Sequence, residues 1–161
     1  MTDWAIAGCA ALFVAILALS GYWDPTIRTL HVFEAVPYGL AGLLCLRQST
    51  FGYALAAAGG AFWLWCAGFL TTFVRNGFER LGALVRTGSV DRIDVLIAAP
   101  AAFATAGLVV FSVAGYVRRQ NKSGRDIVAI ASAFVAVPLF FLAIFKAFAP
   151  RYLAMFNGIL W

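Results

Sequence analysis

The chain has 161 residues, of which 63% are hydrophobic and 12% charged, and its mean hydropathy is +0.90. Seven acids and twelve bases cannot cover a soluble core of that size, so a water-soluble globule is excluded and the excess apolar surface must face lipid. The net charge of +5 comes from bases scattered between apolar stretches, which reads as anchoring to lipid phosphates rather than as a nucleic-acid surface.

Five apolar stretches approach the roughly 20 residues that a helix needs to cross the hydrocarbon. The first, residues 4–22, has no basic leader and no small-residue cleavage pattern before Trp23-Asp24-Pro25, so it is expected to be a permanent span and not a secretory signal. Ala7, Ala11 and Ala15 give it a ridge of small residues.

The second stretch, residues 27–46, carries Arg28, His31, Glu34 and Tyr38 on one helix face, because spacings of three, three and four return to the same side. Glu34 lies about two turns, or roughly 9 Å, below the Arg28 end at about 1.5 Å per residue. A carboxylate at that depth is costly in hydrocarbon unless it is protonated, paired or wetted, so Glu34 is expected to point into the bundle.

The third stretch, residues 51–74, has a ridge at Gly52, Ala56 and Gly60 and ends on Thr71 and Thr72. Residues 75–92 place Phe78, Leu81, Leu84 and Val85 at helical spacing with Glu79, Arg80 and Arg86 on other faces, the pattern of a short helix lying in the membrane interface. The fourth stretch, residues 93–117, repeats the small-residue ridge at Ala98, Ala102 and Ala106. The fifth, residues 127–148, carries Lys146 near its close. Pro37, Pro100 and Pro138 fall inside three different spans, where each removes a backbone bond and favours a kink.

The expected architecture is therefore an all-α, polytopic transmembrane helix bundle, a single integral membrane domain over residues 1–161. It has five spans and a short interfacial helix between the third and fourth; four spans plus a re-entrant second segment is the alternative. Trp4, Tyr22, Trp23, Tyr53, Tyr116, Tyr152 and Trp161 fall near span ends, as an aromatic belt should. The number of bases, five on the amino-terminal face and seven on the other, favours an outside amino terminus, while the dense acid-free cluster Arg118, Arg119, Lys122 and Arg125 favours a cytoplasmic one. A cytoplasmic amino terminus is the expectation, and the short loops suggest a bacterial inner membrane.

Alternating the spans brings the intramembrane charges to one end of the bundle. A polar pocket or ion-binding site is expected there, built from His31, Glu34, Tyr38, Arg75, Asp94 and Lys146 and open to the carboxy-terminal face. Glu34 would pair with Lys146 or Arg75 and be oriented by His31. The lone histidine excludes bis-histidine haem and multi-histidine metal sites, so no metal or cofactor is expected. Axial ligation of a pigment or haem by His31 alone is the one exception the composition permits. Ser20, Ser112 and Ser132 sit on different spans, so a catalytic triad would depend on His31 as its only base. Cys9, Cys45 and Cys66 lie in apolar segments without C-x-x-C pairing and read as small buried residues.

The function expected from these features is that of a non-catalytic membrane subunit or scaffold, packed against the lipid bilayer and against other membrane subunits or copies of itself. The alternative is a small proton- or ion-coupled transporter or channel that uses Glu34 and His31. An in-membrane enzyme, with His31 and Glu34 as acid and base on a lipid-borne substrate, ranks third.

Overall fold

The computed structural model describes residues 1–157, with side chains through Ala154, and Trp161 lies outside the described residues. The described chain is helical, without strands. Its elements are α1 (Thr2–Trp23), α2 (Arg28–Leu46), α3 (Thr50–Trp65) running into a π-helical turn (Cys66–Leu70), α4 (Phe73–Thr87), α5 (Ile93–Leu96), α6 (Ala98–Arg118), α7 (Gly124–Phe148) and α8 (Pro150–Asn157). Five segments are long and apolar enough to cross a membrane: α1, α2, α3 with its π turn, α5 with α6, and α7.

α1, α2, α3 and α6 close a ring in which α1 and α3 each touch both α2 and α6. Short links make α1 and α2, and α2 and α3, antiparallel neighbours, whereas α3 reaches α6 only across α4 and α5, and α7 packs on α3 although its short link comes from α6. α7 lies outside the ring against α3 and, less extensively, α2. It runs parallel to α3, since Thr50 meets Asp126 at one end and Phe62 meets Phe141 further along.

Small residues set how closely the ring helices approach, because lipid supplies no hydrophobic force to hold them together. A methyl group on Gly52 would fall 2.6 Å from Leu44 Cβ and 2.8 Å from the Cys45 backbone nitrogen, and one on Gly60 would fall 2.7 Å from the Thr105 carbonyl oxygen. Ala56 is fully buried between them. On α6, Ala98 and Ala102 are buried and Ala106 is half-buried, and Ala98 packs against Gly77 of α4. The first-span ridge behaves differently: Ala11 and Ala15 are exposed, and α1 meets α2 through Ala10 and Ala7 against Gly42.

Three boundaries depart from the sequence expectation. The third span stops at Leu70, because Thr71 turns to an extended conformation at the end of the π turn and α4 begins directly at Phe73. The fourth span is broken after Leu96, and the cause is Pro100. A proline has no N–H for the carbonyl four residues back, and its ring crowds that carbonyl, so Leu96 ends one helix and Ala98 starts the next. Pro100 thus sits in the first turn of α6 and does not kink a continuous span. The chain also forms α8, a helix that opens on Pro150, a residue favoured at the first helical position.

Local chemistry fixes the remaining ends. Asp24 Oδ1 accepts hydrogen bonds from the backbone nitrogen and hydroxyl of Thr26 at 2.9 and 2.6 Å, which tightens the turn between α1 and α2. Those bonds hold the Asp24 carboxyl below the usual carboxylate range. Gly88 ends α4 in the left-handed conformation, φ 69°, with its N–H bonded to Leu84 O. Ser123 and Asp126 form a capping box at the start of α7.

Candidate functional site

A cleft of about 490 Å3 opens at the end of the bundle where α1, α3 and α7 finish and α2 and α6 begin. Its walls are largely apolar, with Phe13, Trp63, Phe141 and Phe145 contributed by three of the spans, and its polar lining includes Glu34, His31 and Asn76. Sites for small molecules typically have this size and this mixture, roughly 300 to 1,000 Å3 with a few converging polar groups.

Two turns of α2 place the charged side chains, and the adjacent end of α1 receives two of them. Arg28 Nε donates to the Gly21 carbonyl oxygen at 3.0 Å, and His31 Nδ1 lies 3.3 Å from the Leu17 carbonyl oxygen. With Nδ1 donating there, His31 Nε2 keeps its lone pair and faces Glu34 Oε2 at 3.8 Å. That separation is too long for a hydrogen bond. Both imidazole nitrogens thus have protein neighbours, and axial ligation of a pigment or haem would displace one of them.

Glu34 is 6% exposed and makes no hydrogen bond among the described residues. Every other acid is held. Asp3 accepts from the Tyr53 hydroxyl at 2.6 Å, Asp24 from Thr26, and Asp126 from Thr50 at 2.8 Å and from the Ser123 backbone at 3.0 Å. Arg75 lies 3.4 Å from Glu79, Arg80 3.0 Å from Asp91, and Arg92 grips Asp94 at 2.6 and 2.9 Å. Asp126 is as little exposed as Glu34, at 5%, but it sits in the first turn of α7 at the rim of the bundle while Glu34 lies about two turns inside α2, so the two differ in depth as well as in partners.

Tyr38 stands one turn deeper, 1% exposed, and its hydroxyl donates to the Gly59 carbonyl oxygen at 2.9 Å. Its ring meets Phe13 edge-on at 4.5 Å between centroids and Phe141 at 6.4 Å, while Phe13 meets Trp63 at 5.1 Å. This cluster of aromatic rings from four helices closes the cleft below Glu34. Tyr38 is therefore part of the packed floor and does not line the opening.

Of the residues expected at this pocket, His31 and Glu34 line the cleft and Tyr38 supports it. The others are elsewhere. Arg75 is exposed and answers Glu79 one helical turn away, Asp94 is taken by Arg92, and Lys146 is exposed on the outer side of α7. None of the three reaches Glu34, because each base or acid has either a partner on its own segment or open surroundings closer than the bundle interior. Ser20 and Cys66 do line the cleft, as does the exposed Arg151 of α8, whose guanidinium lies 5.3 Å over the Tyr152 ring.

The opposite end of the bundle holds a second polar cluster. Asp3 ties α1 to Tyr53 of α3, Arg118 of α6 donates to Thr2 at 3.1 Å, and Asp126 joins α7 to Thr50 and, at 3.4 Å, to Arg119. Those pairings bridge different helices, so a single span cannot reveal them. Between the two ends, Ser112 Oγ on α6 is fully buried without a hydrogen-bond partner among the described residues.

Chemically, the cleft offers one carboxyl and one imidazole that can exchange a proton, set in an apolar wall. Among the described residues no group of three or more His, Cys, Asp or Glu side chains gathers for a metal ion. Fold and cleft together define a helical bundle with five helical segments long and apolar enough to cross a membrane and an apolar-walled cleft at one end. No protein-family model matches the chain, and no curated protein or solved structure is detectably similar to it.

Proposed function

We infer that the protein is a small membrane transporter in which Glu34, flanked by His31, is the ion- or proton-binding group. The observation that carries this reading is the contrast between the two buried carboxylates. Asp126 is tied to Thr50, Ser123 and Arg119, as a structural carboxylate should be, whereas Glu34 has no hydrogen-bond partner among the described residues and faces an open cleft. Ionisable groups kept inside a membrane bundle at such cost commonly mark ion or substrate paths. The aromatic floor under Glu34 separates the cleft from the other end of the bundle, where a second, polar pocket of about 340 Å3 lies among Asp3, Tyr53, Arg118 and Arg119. α2 and the π turn of α3 flank that floor, and π turns interrupt regular helix bonding, as functional hinges do.

In this reading the bundle lies in a bacterial inner membrane, with α4 along the interface and its Arg75, Arg80 and Arg86 toward lipid phosphates. The test is flux through purified protein in liposomes bearing a pH gradient. Wild-type protein is expected to dissipate the gradient, Glu34→Gln to abolish that flux, and Glu79→Gln, which removes an exposed acid paired only with Arg75, to leave it intact. Equal flux in the wild type and Glu34→Gln overturns the reading.

One observation favours the second reading, a non-catalytic subunit that docks on partner membrane proteins. Gly8, Ala11 and Ala15 present a small-residue surface on the outside of α1, with open space over Gly8. Purification only in company of other membrane proteins, with no flux from the isolated chain, would support it.

A further inference from the structure

We propose that the cleft takes a hydrophobic organic cation, an amine or quaternary onium ion, with its charge at Glu34 and its apolar body against Phe13, Trp63, Phe141 and Phe145. The inference deepens the transport reading and rests on its choice of Glu34 as the functional group.

Charge comes first. Among the described residues Glu34 is the one acid lining the cleft, it is buried by more than nine tenths, and none of them gives it a hydrogen bond. The imidazole beside it approaches with a bare nitrogen at 3.8 Å when Nδ1 serves the Leu17 carbonyl, so His31 does not supply the missing positive charge in that tautomer. Arg151 is the cleft's permanent cation, but it is exposed and lies over the Tyr152 ring, leaving the interior to Glu34.

Size and wall chemistry then select among cations. An inorganic ion such as Na+ or Ca2+ requires several converging oxygens, and Glu34 stands with no second carboxylate in a wall made mainly of rings and aliphatic groups. A proton exchanging at Glu34 leaves a cleft of about 490 Å3 to be filled by something larger. An organic cation uses both features, because aromatic faces attract a poorly hydrated positive charge and exclude the water that would otherwise screen it from the carboxylate. The opening at the bundle end, beside polar Thr72 and Asn76, admits the ligand from the interfacial layer, where amphiphilic cations concentrate.

Tetraphenylphosphonium and tetraphenylborate test the claim as a pair of nearly identical shape and opposite charge. Each is titrated by equilibrium dialysis at one pH against the protein in nanodiscs, with empty nanodiscs as blanks. The expected result is saturable binding of the phosphonium at one site per chain, at least tenfold weaker binding in Glu34→Gln and little specific binding of the borate. Should Glu34→Gln fail to fold, Glu34→Asp and a wild-type thermal shift by phosphonium but not borate carry the same comparison. Equal binding of the two ions, or phosphonium binding unchanged in Glu34→Gln, overturns the proposal. Liposome flux separates the two levels of inference. Glu34-dependent proton flux without phosphonium binding removes the ligand class and leaves transport, whereas phosphonium binding without any flux keeps the ligand class and removes transport.

Discussion

Asp126 and Glu34 show how much a buried carboxylate's role depends on its neighbours. Asp126 accepts from Thr50 and from the Ser123 backbone and lies beside Arg119, so its charge stabilises three chain segments at once. Glu34 is as little exposed, lies deeper in its helix, and makes no hydrogen bond among the described residues. Asp126→Ala should therefore lower the melting temperature in detergent clearly, whereas Glu34→Gln should leave it unchanged or raise it, since a neutral amide is easier to bury than a lone carboxylate. Thermal melts of the two variants decide the matter, and a larger loss for Glu34→Gln would show that Glu34 is structural. The inward position of Glu34 was legible in the sequence from its depth along α2. Its missing partner was not, because Arg75, Asp94 and Lys146 lie at the same end of the bundle and only coordinates show where they turn. Two of those outcomes had local clues all the same, for Glu79 follows Arg75 by one helical turn and Arg92 nearly adjoins Asp94.

At the scale of the helices, close approach of α3 to its neighbours rests on Gly52 and Gly60. A methyl group at residue 52 would collide with the α2 backbone itself, at 2.8 Å from Cys45 N, and backbone cannot swing aside as a side chain can. Gly52→Ala should destabilise the bundle by about 1–3 kcal/mol, the usual penalty of overpacking. Gly39→Ala, on the open side of α2 with nothing within 4 Å, should be neutral or stabilising through helix propensity. Chemical denaturation of both variants checks this, and a harmless Gly52→Ala would mean that α2 and α3 are not seated as described. The seams on the third and fourth spans could be read from spacing, since glycine or alanine at every fourth position permits close contact. The same spacing on α1 did not predict its packed face, where Ala10 and Ala7 meet Gly42 and Ala11 and Ala15 remain outside. Abundance of alanine in an apolar helix makes more than one ridge available, and only the partner helix selects among them.

Over the whole molecule, polar chemistry is divided between two ends. One end is tied by Asp3, Asp126 and their partners around a polar pocket of about 340 Å3, and the other holds the larger, apolar-walled cleft beside Glu34. In a background with Cys9, Cys45 and Cys66 changed to alanine, Ser20→Cys on the cleft wall and the exposed Gln48→Cys should react with an impermeant maleimide from opposite sides of sealed vesicles. Labelling of both from the same side would contradict the arrangement of α1 and α2, and protection of Ser20→Cys from either side would close the cleft. Five spans were visible from composition alone, because runs of apolar residues leave few alternatives in lipid. The ends of those spans were harder to read. The π turn before Thr71 has no simple pattern, and Pro100 marks a helix start only once the carbonyl four residues earlier is known to end another helix.

The contacts between the first two helices also bear on how the chain enters its membrane. The start of α2 carries Arg28 and His31, and both reach back to carbonyl oxygens of α1, at Gly21 and Leu17. Alone in the translocation channel, α2 would bring a guanidinium, an imidazole and a carboxyl toward oil with no protein acceptor for the first two. Folded back on α1 as a hairpin, it enters with two of those groups already satisfied, so the first two helices are expected to partition into the bilayer as a pair, the earlier one waiting for the later.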